Sequence, residues 1–169
     1  MNAAVLYTPP WVTEAFKYEG VKEIPGIKHN PIIVAFWKIS KLGGIKDDET
    51  AWCAGSLNAW FEAVGIRSPR SDAAKSYLKW GTRILNPVYG CVVVINRVGG
   101  GGGHVGLVVG YNAAGQLLVY GGNQDNRVKV SAFHLERVAA YVIPPGFTLG
   151  QFSPVPVVSS TAAASGSEA

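Results

Sequence analysis

The sequence predicts an α+β domain, and three observations carry that expectation. Apolar residues recur at helical spacing through the first half of the chain, period-two alternation takes over after about residue 90, and no helical segment separates the later strands. The chain has 169 residues, 48% hydrophobic and only 15% charged, enough for one sizeable core. One compact domain over 12–145 is expected, after an N-terminal extension at 1–11 and before a flexible tail at 146–169 rich in Pro, Ser and Ala.

The first helix is expected over 12–20, starting at Thr13 and stopped by Gly20. A loop covers 21–30. Asn30 then reads as an N-cap with Pro31 in the first helical position, and Ile32, Ala35, Phe36 and Ile39 carry a helix to about Leu42, ended by Gly43-Gly44. The periodic segment 51–64 is closed by Gly65, and would bury Ala54, Leu57, Trp60 or Phe61, and Val64. Ser71 caps a further helix over 71–80. Strands follow at 91–96, 104–111, 116–120, 127–133 and 137–143, an antiparallel series.

Composition excludes several classes. Fifteen Lys and Arg against eleven Asp and Glu give +4, and the basic residues are scattered without an arginine-rich run, so no nucleic-acid partner is expected. No apolar run approaches the ~18 residues of a membrane span, and no charged n-region precedes an apolar h-region near the start, so neither membrane insertion nor a secretory signal is expected. Gly99 to Gly103 lack the Gly-Lys-Ser/Thr of a phosphate loop. Two cysteines and three scattered histidines have no zinc spacing. Asp47, Asp48 and Glu49 lack the spaced oxygens of a calcium loop, and also suit a helix start. No metal or cofactor is expected.

The chemistry-bearing candidates are three. If Thr50 caps the following helix, Cys53 occupies N3, where free N–H groups favour a thiolate. His104 opens a strand after five glycines. A symmetric hairpin around Asn112-Ala113-Ala114-Gly115 pairs residues whose numbers sum to 227, which sets Asn123 opposite His104; a three-residue loop would set Gln124 there instead. Cys53, His104 and Asn123 then supply nucleophile, base and orienter, with Asp125 the next choice of orienter. Cys91 opens an apolar strand and reads as buried and structural, while His29 and His134 sit in polar contexts without an evident partner.

Asp48-Glu49-Thr50-Ala51-Trp52-Cys53-Ala54, Ala74-Lys75-Ser76-Tyr77-Leu78, Trp80-Gly81, Gly90, Val92-Val93-Val94, Gly103-His104-Val105-Gly106 and Gly121-Gly122-Asn123-Gln124 resemble, in this order, the CHAP branch of the NlpC/P60 cysteine peptidases. Glu23-Ile24-Pro25-Gly26 and His29-Asn30-Pro31 resemble a phage-associated and bacterial subgroup of that branch. The resemblance covers about residues 10–145. It implies a papain-like fold and hydrolysis of amide bonds in bacterial peptidoglycan, with Cys53 as nucleophile, His104 as base and then acid, Asn123 as orienter, and Trp52, Gly103 and Gln124 binding substrate. It also implies use as a phage endolysin or as an antibacterial effector paired with an immunity protein, acting in the cell wall after synthesis in the cytoplasm. Two positions depart from the family pattern: Gly121 stands where many members carry glutamate, and Cys91 where relatives usually carry aspartate. Two other functions fit the residues: a cell-wall binding module using Trp52, Trp60 and Trp80, and an acyltransferase using the same thioester.

Overall fold

The computed structural model describes residues 6–158. Three helices, α1 (Pro10–Phe16), α2 (Pro31–Ile39) and α3 (Cys53–Ala63), precede a 3-10 helix at Ala74–Lys79. Six strands follow: β1 (Thr82–Ile84), β2 (Val92–Asn96), β3 (Gly103–Tyr111), β4 (Leu117–Gln124), β5 (Arg127–Phe133) and β6 (Val138–Ile143). They form one antiparallel sheet in the order β1-β6-β2-β3-β4-β5, so the architecture is α+β.

The helices lie on one face of this sheet, where Trp11, Phe36, Leu57 and Trp60 meet Val92, Val94, Leu107 and Tyr120. A second core on the other face joins Cys91, Val93, Ile95, Val108, Val119 and Phe133. Cover on both faces is why β2 reads as an unbroken apolar run rather than an alternating one. Helix α3 is buried from Cys53 through Phe61, Trp60 and Phe61 both included, because helices and sheet enclose it on every side.

Several boundaries differ from the sequence expectation. Helix α1 starts at Pro10 instead of Thr13, and Trp11 is wholly buried with its Nε1 donating to the Gly90 carbonyl at 2.7 Å, so the core begins before residue 12. Asn30 caps α2 as expected, its side chain accepting from the Ile32 N–H at 2.9 Å, but the helix stops at Ile39 and Lys41 turns left-handed. The segment 71–80 is a 3-10 helix from Ala74, and β1 had no legible signal in its three residues. From 146 the expected tail is docked as far as 158: Phe147 and Phe152 pack on Trp11, and Tyr111 exchanges backbone hydrogen bonds with Pro156 and Val158. Its prolines remove N–H donors that an edge segment need not use. The rest of that expected tail, 159–169, lies outside the described residues.

Candidate active site

Cys53 is the first residue of α3, not the third turn position that a Thr50 cap would give. The reason is local: Asp47 Oδ1 accepts from the Thr50 and Glu49 N–H groups, holding 47–50 in a turn that ends before the helix begins. Burial pushes the Cys53 thiol up, but its hydrogen bond with His104, the charge of that ring, and the N–H groups of Val105 and Ala54 together bring it below the ordinary thiol value. Cys53 keeps only 4% exposure, and His104 none.

The group holding His104 is Gln124. Its Oε1 lies 2.9 Å from His104 Nε2, while Phe133 stacks on the ring at 5.7 Å. The amide orientation follows from its other contacts. Gln124 Nε2 donates to the carbonyls of Val119 at 3.1 Å and Lys129 at 2.6 Å, so the atom facing the ring is the acceptor oxygen. The ring Nε2 therefore carries a hydrogen, and in the neutral imidazole the lone pair sits on Nδ1.

The arithmetic that pointed to Asn123 held along the strands and failed at their end. Leu107 pairs with Tyr120 and Val108 with Val119, both on the sum 227, although the turn itself sets 228 and an irregularity between Val108 and Gly110 restores the lower value. Beyond Gly121 the β4–β5 ladder shifts by one residue, and Asn123 adopts φ 57°. At that irregularity the carboxamide of Gln124, a residue expected to bind substrate, meets the histidine. Asn123 is buried beside it. Asp125, the other expected orienter, instead pairs with Lys129 at 2.7 Å on the surface.

Close backbone approach fixes the floor of the site. A Cβ on Gly122 would lie 2.6 Å from the Trp52 ring and would also strike Ser56, so only glycine lets β4 pass the start of α3. Gly99 to Gly102 all take positive φ in an exposed turn leading to Gly103, which is half-buried at the head of β3. Trp52, expected to bind substrate, is wholly buried in the core and donates its Nε1 to Glu23 Oε1 at 2.8 Å. Trp60 is buried too, so the aromatic face of a binding module is mostly core.

Sequence reasoning missed the acid that buttresses the site. Asp48 is wholly buried and accepts from the Ile24 and Asn30 N–H groups, both at 2.8 Å, and from His29 Nδ1 at 3.0 Å. His29 thus has a partner after all. The loop 21–30 is thereby tied to the segment leading into α3 through Asp48 and through Trp52–Glu23, and to the β4–β5 turn through the Glu23 N–H and the Asn126 carbonyl. Nothing local marks Asp48 among three consecutive acids. Among the described residues, no group of three His, Cys, Asp or Glu is placed to hold a metal ion, and no helix is long and apolar enough to cross a membrane.

Comparison with known proteins gave no matching family model and no significant match to a curated protein.

Proposed function

We propose that the protein is a papain-like cysteine amidase or endopeptidase that cleaves an amide bond in the peptide part of bacterial peptidoglycan. The observation that carries this reading is the relay from the Cys53 thiol to the His104 ring to the Gln124 carboxamide, in which Gln124 orients the imidazole in the tautomer a base requires. Nδ1 of His104 takes the thiol proton, and the thiolate attacks the scissile carbonyl. The oxyanion forms beside the start of α3, where the first backbone N–H groups lack helical acceptors. His104 returns the proton to the leaving amine, and water attacks the thioester with His104 again as base. Gln124 fills the orienting role that the sequence assigned to Asn123. The substrate class rests on the resemblance of the Trp52-Cys53-Ala54 and Gly103-His104-Val105-Gly106 blocks.

The test incubates purified sacculi with the wild type and with Cys53→Ala, followed by mass spectrometry of the released fragments. Fragments from the wild type alone, each with a new amino end, are expected, and their masses name the bond. Sacculi left intact by the wild type would end the hydrolase reading.

A further inference from the structure

Beside the 3-10 helix Ala74–Lys79 lies an open groove of about 650 Å³ between that helix and the loop at 67–69. Its volume is in the range of small-ligand sites, roughly 300–1,000 Å³. Arg67 and Lys79 line it, with Ser68, Ser76 and the half-buried indole of Trp80. Its charge is one-sided. Neither Arg67 nor Lys79 forms an ion pair among the described residues, and the neighbouring carboxylate, Glu62, is fully engaged by Arg70 at 2.8 Å and by the Ser68 N–H and hydroxyl. Trp80 is fixed rather than loose: its Nε1 donates to the Arg67 carbonyl at 2.8 Å and its ring packs on Phe61 and Tyr77.

The helix that lines the groove also packs on the elements that carry Cys53 and His104. Tyr77, inside the same 3-10 helix, donates its buried hydroxyl to Asn58 Oδ1 at 2.6 Å, and Asn58 lies on α3 behind Cys53. At the other edge, the stem of Lys75 runs along Gly103, where a Cβ would sit 3.5 Å from Lys75 Cγ. Lys75 directly precedes the lining Ser76, so one short helix carries both the groove wall and the stem beside the residue preceding His104.

We infer that this groove is a specificity subsite for a peptide bearing at least two free carboxylates, held by Arg67 and Lys79 against Trp80. The inference rests on the peptidase reading for its substrate, a stem peptide containing D-glutamate and diaminopimelate, and adds that free acids are preferred to amidated stems. Cations without an ion pair among the described residues, beside a neutralised acid, favour carboxylates over their uncharged amides.

The experiment uses the full chain as Cys53→Ala, so that binding is read without turnover. It is titrated with the soluble stem peptide L-Ala-γ-D-Glu-diaminopimelate-D-Ala and with the same peptide amidated at its carboxylates, by calorimetry and by the Trp80 indole N–H signal. The acid peptide is expected to bind about tenfold more tightly and to shift that signal, and adding Arg67→Gln with Lys79→Gln is expected to erase the preference. Both positions are exposed, and near-ultraviolet dichroism checks that the variant is folded. Equal affinity for the two peptides, or a preference that survives the double substitution, would overturn the subsite. If sacculi stay intact with the wild type while the charge preference persists in Cys53→Ala, the subsite stands and the hydrolase reading falls. If sacculi are cut while the two peptides bind alike, the reverse holds.

Discussion

The two cysteines share a residue type and deep burial, yet their surroundings drive them in opposite directions. Cys91 lies at the entrance to β2 in the core on the face away from the helices, wholly buried, and burial pushes its thiol up to about 12. Cys53 suffers the same desolvation, but a histidine and two backbone N–H groups face it and bring its thiol below the ordinary value. Cys91 also has backbone N–H donors, from Val88 and from itself, that work to lower it, yet burial prevails there. What Cys91 lacks is the histidine, whose hydrogen bond and charge set Cys53 apart.

The sharpest way to break this contrast is to exchange each thiol for a methyl group. Cys53→Ala should lower fragment release from sacculi by about a thousandfold or more, whereas Cys91→Ala should leave it within about twofold and cost about 1 kcal/mol of stability, read from urea unfolding. Comparable losses in the two variants would show that packing, not nucleophilicity, underlies the first. Alkylation by iodoacetamide in the native protein near pH 7 should modify Cys53 about a hundredfold faster than Cys91, as peptide mapping would reveal. Labelling at Cys91 first would reverse the assignment.

The histidine's partner comes next in size. Gln124→Leu removes the acceptor at Nε2 and should reduce kcat by about 100-fold with little change in KM, while Asn123→Gly, which keeps the positive φ, should cost about fivefold or less. The opposite ranking would restore Asn123 as the orienting residue.

A smaller effect tests the buttress. Asp48→Ala leaves buried N–H groups without an acceptor and should destabilise the protein by about 3 kcal/mol, measured by denaturant unfolding. Burial works to raise the Asp48 carboxyl, but the Asn30 and Ile24 N–H groups and His29 bring it below its usual value. Its contribution is therefore full above the ordinary aspartate range and is lost as pH falls through the lowered folded value. His29 is raised by its hydrogen bond to Asp48, so its contribution is present below about pH 6.5 and fades as pH rises through the raised value. His29→Gln should remove that alkaline-side slope, visible as unfolding midpoints that vary less across about pH 6–8 than in the wild type. An unchanged slope would place its origin elsewhere.

Much of this was legible in the residues. Helical spacing followed by alternation gave the α+β order, Asn30-Pro31 gave a cap that the structure reproduces, and the chemistry of a thiol near a helix start and a histidine on a strand singled out Cys53 and His104. These are short-range properties, set by propensity, capping and side-chain chemistry within a few residues. Tertiary packing decided the rest. Gln124 rather than Asn123 meets the imidazole at the end of β4, where the β4–β5 ladder shifts by one residue and Asn123 turns left-handed, backbone choices that alternation cannot reveal because the segment is buried throughout. Trp52 became core and not a substrate face because Phe36 of α2, Glu23 of the loop 21–30 and Gly122 of β4 close over it, and Asp48 was separated from its acidic neighbours by N–H donors from a loop about twenty residues away. Sequence supplied the reactive groups; long-range contacts chose their partners, because a side chain's environment is set by segments that meet it only in the folded chain.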